Sequence, residues 1–128
     1  MNAKILITDD HDEFRMTVRN YLEGLENSRF EITEATSGEA GVTKALRERP
    51  DVVLMDIRLP DISGIDAASQ IKRNFPASKI IILTMFETEA FREVFKSNDI
   101  EAYLGKSELY DKLLPTISKV LESDRAVT

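Results

Sequence analysis

Short apolar runs alternate with helically spaced apolar residues along the whole chain, five times over. The runs fall at Lys4–Thr8, Phe30–Ala35, Val52–Asp56, Lys79–Thr84 and Ala102–Gly105. The first, third and fourth are apolar almost without a break, as parallel strands covered on both faces are. The second alternates, Phe30 and Ile32 against Glu31, Thr33 and Glu34, which suits an edge strand; the fifth is short. After Asp9-Asp10, the residues Phe14, Val18, Tyr21, Leu22 and Leu25 form a helical stripe. Ser37-Gly38-Glu39 opens a second, weakly amphipathic helix that stops before Pro50. Ile65, Ala68, Ile71 and Phe75 mark a third, stopped at Pro76, and Ala90, Phe91, Val94 and Phe95 mark a fourth. Leu113, Leu114, Ile117, Val120 and Leu121 mark the last. Pro115 falls inside it; an interior proline loses a backbone bond, so this helix is expected to start late, near Asp111, or to bend.

Five strand–helix units predict an α/β fold: one doubly wound, five-stranded parallel sheet with five helices on its two faces and right-handed crossovers. The strand order expected, 2-1-3-4-5, is that of flavodoxin-like folds in general; the residues of this chain do not set it by themselves. Residues 1–122 would form the single domain, with 123–128 a tail or the start of a linker. In such sheets ligands bind at the carboxyl ends of the strands, where the order reverses between strands one and three.

The strand ends therefore carry the chemistry. Strand one ends in Asp9-Asp10, strand three in Asp56 and strand four in Thr84, and strand five leads into Lys106. Strands must exit to water, so polar ends alone mean little. Three carboxylates on one rim repel one another and call for a cation, and oxygen ligands of this kind suit Mg2+. A free Asp56 carboxylate is a nucleophile toward phosphorus. The Lys106 ammonium and the Thr84 hydroxyl can then stabilise phosphoryl oxygens.

Each residue also has a plainer reading. Asp9 and Asp10 could cap the first helix, but Asp12 can do that instead. Thr84 alone is an ordinary strand residue, Lys106 a loop lysine and Tyr103 a packed ring with a wet hydroxyl. His11, the single histidine, could serve as a catalytic base, but on the first turn of a helix it reads more readily as a surface residue, or instead as a contact for a phosphodonor protein. Phe86, Phe91 and Phe95 read as helix packing, or as a partner surface where exposed.

Four spaced motifs resemble the receiver domains of bacterial two-component response regulators, from Lys4 to about Leu121. They are Ile-Thr-Asp9-Asp10-His, Asp-Val-Val-Leu-Met-Asp56-Ile-Arg-Leu-Pro60-Asp-Ile-Ser-Gly64, Ile-Leu-Thr84-Met-Phe and Ala-Tyr103-Leu-Gly-Lys106. The wording around Asp56 and Thr84 is most similar to the LuxR-type subfamily, whose receivers precede a helix-turn-helix DNA-binding domain. The resemblance implies that Asp56 is the phospho-acceptor. Asp10 and Asp56 would hold Mg2+ directly, Asp9 through water, and the backbone carbonyl of Arg58 would complete the protein ligands. Thr84 and Tyr103 would be the switch residues and Lys106 the phosphate contact. The implied partners are a sensor histidine kinase or phosphotransfer protein and a second copy on phosphorylation; either a C-terminal DNA-binding domain follows outside this sequence or the receiver stands alone. Two positions depart from the family. Ser107 stands where a cis proline is usual, which predicts a trans bond or a strained loop. Asn98-Asp99 replaces a small turn, with Asn98 expected to take the left-handed position.

Composition narrows the rest. The 128 residues carry a net charge of -6 and no cysteine. That excludes thiolate chemistry and argues against direct nucleic-acid contact by this domain. No apolar run is long enough for a membrane span, so a cytoplasmic setting is expected. Two rival functions are a receiver that works without phosphorylation, which would normally have lost an acid or the lysine, and an Mg2+-dependent aspartate-nucleophile phosphatase. The phosphatase needs a second acid two residues after its nucleophile, where Arg58 stands here. Self-phosphorylation and slow self-dephosphorylation are the only catalysis expected.

Overall fold

The structure, a computed structural model, describes residues 2–85, 93, 96 and 99–125. Five strands, β1 (Asn2–Thr8), β2 (Arg29–Ala35), β3 (Val52–Met55), β4 (Lys79–Thr84) and β5 (Ala102–Gly105), form one sheet. Its order is β2-β1-β3-β4-β5 and every pairing is parallel. Four helices are described in full: α1 (Asp12–Glu23), α2 (Gly38–Glu48), α3 (Gly64–Asn74) and α4 (Leu109–Arg125). The fourth predicted helix rests on Ala90, Phe91, Val94 and Phe95, which lie outside the described residues, as does Phe86; Glu93 and Lys96 in that stretch are helical.

The two-residue period of the strands divides the core. Ile5, Ile7, Val52, Leu54, Ile81 and Leu83 face α1 and α4, where Val18, Leu22, Leu113 and Ile117 meet them. Leu6, Val53, Met55, Ile80 and Ile82 face α2 and α3, against Ala45, Ala67, Ala68 and Ile71. The three central strands are buried on both faces, which is why their sequence hardly alternates. The half-exposed β2 lies at the edge, as its alternation predicts.

Local signals end the helices. Ser37 caps α2 and Ser63 caps α3, each hydroxyl accepting a backbone N–H, from Ala40 and Asp66, at 3.1 Å. Arg49, with φ 50°, closes α2 before Pro50. Removing one such cap costs about 1 kcal/mol. Ser63→Ala is therefore expected to lower the unfolding free energy by that amount, read as a lower urea midpoint with an unchanged denaturant slope.

Three expectations need correction. The last helix starts at Leu109 and not near Asp111, because a 3-10 turn over Lys106–Glu108 leads straight into it. Pro115 sits in its second turn. It deprives only the carbonyl of Asp111 of a donor, and Asp111 is exposed, so water can replace the bond. The N-cap of α1 is His11, and Asp12 is the first helical residue, where its charge favours the helix dipole without capping it. Strand β3 ends at Met55, although the Asp56 N–H still extends the ladder to the Thr8 carbonyl at 3.0 Å. Asp99, in the turn before β5, has a left-handed backbone with φ 61°; the expectation for Asn98 lies outside the described residues. No described peptide bond is cis, so Lys106–Ser107 is trans. The Glu108 carboxylate accepts the Gly105 N–H at 2.9 Å and holds that turn closed.

Candidate functional site

Strands β1 and β3 are neighbours, Thr8 opposite Met55, so Asp9 and Asp56 leave the sheet side by side. Both are buried, at 3% and 4% exposure. Ligand atoms of Asp9, Asp10, His11 and Asp56 lie within 4.8 Å of one another. Lys106 closes the group from β5. Its Nζ lies 2.7 Å from Asp9 Oδ2 and 3.4 Å from Asp56 Oδ2. It also lies 4.3 Å from the centre of the Phe14 ring, whose face favours a cation.

These contacts set the charge state. Burial, then the neighbouring Asp9 charge, pushes the Asp56 carboxyl above the usual carboxylate range; Lys106 and the Ile57 N–H pull it back only in part. One oxygen, Oδ1, accepts that N–H at 2.8 Å, and the other, Oδ2, faces the lysine. A carboxylate pair that one ammonium does not fully neutralise is a site that gains from a second cation. The oxygen-rich donors fit Mg2+.

The loop after Asp56 is held by close approach. Gly64 donates its N–H to the Ile57 carbonyl at 2.7 Å, and a Cβ there would lie 1.8 Å from the Asp56 carbonyl oxygen. Asp61 ties the same loop to α2, accepting N–H bonds from Gly38, Glu39 and Ile62 at 2.8 Å each. These bonds, that from Glu39 foremost, hold its carboxyl below the usual range.

The predicted residues thus divide. Asp9, Asp10, Asp56 and Lys106 converge. Thr84 is fully buried at the end of β4, opposite Gly105 and so one residue from Lys106 along the rim. Tyr103 is half-buried against the apolar layer on the α2/α3 side, on the same face of the sheet as Thr84. Arg58 lies in the β3–α3 loop with an exposed side chain. His11 is 62% exposed, as a surface residue should be, yet its Nδ1 turns inward to Asp9 at 3.0 Å and Asp10 at 3.4 Å.

Three residues around the site escaped the sequence reading: Arg15, which donates to the Asp9 carbonyl, Glu34, which accepts from Arg15, and Asp61. Arg15 is a charged residue on the apolar stripe, in phase with Val18 and Leu22, and such a position needs a buried partner. Glu34 is the last polar residue of β2, next to its end at Ala35. Nothing local marks Asp61, because its partners belong to another element.

A 2-1-3-4-5 sheet with a carboxylate cluster and a buried lysine where its order reverses is the architecture of a receiver. The chain belongs to that family: the response regulator receiver domain model matches residues 5–118. Among curated relatives, the response regulator protein VraR of Staphylococcus epidermidis is 30% identical over 126 residues, 97% of this chain and 59% of that protein. VraR of Staphylococcus aureus is 34% identical over 110 residues, 84% of this chain and 51% of that protein. The chain thus spans little more than half the length of these relatives. Among solved structures, a LuxR-family response regulator from Aurantimonas sp. SI85-9A1 superposes with a TM-score of 0.87 at 28% identity, covering 96% of this chain and 87% of that one. The response regulator TrrA of Thermotoga maritima, solved in complex with Mg(2+)-BeF, gives 0.79 at 31% identity, covering 91% and 97%. The resemblance to the LuxR-type subfamily holds. No described helix is long and apolar enough to cross a membrane.

Proposed function

We propose that this receiver accepts a phosphoryl group on Asp56 from a phosphohistidine of a sensor kinase or phosphotransfer protein. An Asp56 carboxylate oxygen attacks phosphorus, a P–O bond forms, and the P–N bond to the donor imidazole breaks. The observation that carries this reading is the Lys106 ammonium set against both Asp9 and Asp56 at a buried rim. It neutralises charge where an incoming phosphoryl group adds it. Asp10 and Asp56 directly, Asp9 through water and the Arg58 carbonyl would hold Mg2+, which supplies positive charge that keeps Asp56 ionised and offsets the phosphoryl oxygens.

Phosphorylation adds nearly two negative charges at the rim. The Thr84 hydroxyl then donates to a phosphoryl oxygen, and its movement leaves room for Tyr103, on the same face, to turn inward. The changed surface beside β5 passes the signal to a C-terminal DNA-binding domain and to a second copy of the chain, so the output is transcriptional. Hydrolysis of the acyl phosphate ends the signal slowly.

The test is incubation with Mg2+ and acetyl phosphate, read by intact mass. One phosphoryl group per chain is expected, and chelation of Mg2+ should abolish it. An amide-shift titration that detects no binding at millimolar Mg2+ would instead support a phosphorylation-independent interaction module.

A further inference from the structure

We infer that Arg15 is a positioning residue for the cation site. It acts through the Asp9–Asp10 peptide without touching the cation, and the inference rests on the Mg2+ reading above. Arg15 projects from α1 and is 9% exposed. Its Nη1 donates to the backbone carbonyl of Asp9 at 2.7 Å, its Nε to Glu34 Oε1 at 2.9 Å and its Nη2 to Asp12 Oδ1 at 2.5 Å. A planar guanidinium can make three such bonds at fixed angles; an ammonium cannot.

Glu34 is itself anchored. Its second oxygen accepts from Arg19 at 2.7 Å, and its backbone carbonyl accepts from Lys44 at 2.5 Å. Burial disfavours its charge, but Arg19 and Arg15 together hold its carboxyl below the usual range. The clamp therefore runs from the end of edge strand β2, through Arg15, to the one peptide that joins the two acids. The Asp9 N–H is tied to the Ala35 carbonyl at 3.1 Å and its C=O to Arg15, so both sides of that residue are fixed. Asp10 needs this support. Its carboxylate is 38% exposed, and among the described residues its side-chain partner is His11 Nδ1 at 3.4 Å. The direction of Asp10 is set chiefly by the plane of the peptide it follows.

The sign of the effect separates this role from plain electrostatics. Removing a positive charge near a cation site should tighten cation binding, because the arginine repels the ion. Removing a clamp should loosen it. For Arg15→Met we expect Mg2+ affinity, from an amide-shift titration, to fall about tenfold, the range for residues that orient ligands from outside the coordination shell. The labelling rate by acetyl phosphate at saturating Mg2+ should stay within about twofold of wild type, since the reacting groups are intact. Arg15→Lys keeps the charge but not the three-way geometry and should shift affinity in the same direction by less. It also serves where the Met variant does not fold, and a urea melt shows that each variant tested is folded. Tighter or unchanged Mg2+ binding in both variants, beside a wild type that binds, overturns the clamp alone. A wild type that does not bind Mg2+ overturns the metal reading and the clamp with it.

Discussion

Asp56→Asn is expected to lose labelling by acetyl phosphate in Mg2+ by at least about a thousandfold, as removal of a nucleophile does. The amide keeps the shape of the side chain and its acceptor for the Ile57 N–H, so the loss reports chemistry and not collapse. Intact-mass measurement with peptide mapping reads it. Stoichiometric label retained on another aspartate would reject Asp56 as the acceptor.

The same variant carries a second, opposite result. Burial and Asp9 raise the Asp56 pKa in the folded, metal-free protein above its unfolded value. Below the unfolded pKa both states hold the proton and nothing is lost. As pH rises from there through the folded pKa, the unfolded chain ionises first, and wild-type stability falls. Asn does not titrate. Metal-free Asp56→Asn should therefore melt a few degrees higher than wild type at neutral pH. The gap should vanish at pH values below the unfolded pKa, and saturating Mg2+ should narrow it at pH 7. Equal melting temperatures across the range would mean that the carboxylate cluster carries no net repulsion.

Gly64→Ala is the second large effect, and it acts on the backbone. The new methyl would lie 1.8 Å from the Asp56 carbonyl oxygen, 2.8 Å from its carbon and 3.0 Å from Ile57 Cα. All three are main-chain atoms held by β3 and by the 2.7 Å Gly64–Ile57 hydrogen bond, so none can rotate away. Either the α3 N-terminus or the residue that carries the nucleophile must shift. A loss of about 4 kcal/mol or more is expected, at the upper end for single substitutions. Whatever fraction remains folded should label slowly, because Asp56 has moved relative to Lys106. A urea midpoint corresponding to less than about 1 kcal/mol of loss would show that the loop yields freely.

Much of this was legible along the chain. The unbroken apolar runs of β1, β3 and β4 announce burial on both faces, and the alternation of Phe30 to Glu34 announces an edge. Asp9, Asp10, Asp56, Thr84 and Lys106 can be read as strand ends, because a strand's last polar residue is local information. The misjudged boundaries were local as well. The start of α4 depends on a 3-10 turn that Lys106–Glu108 share between loop and helix. The cap of α1 depends on which residue keeps extended backbone angles, and that is His11 with ψ 104°.

The amino-acid order by itself determined which residues form strands and helices and which polar groups each strand delivers to the rim. Periodicity of two or near four residues is enough for that. Only the tertiary structure decided which groups meet. Lys106 reaches Asp56 across 50 residues and Arg15 reaches Glu34 across 19, and Gly64 comes to rest on the Asp56 carbonyl. Such contacts follow from the crossover of chain segments and the packing of helices on the sheet, which bring distant positions within a few ångströms. No local pattern of residues encodes those distances.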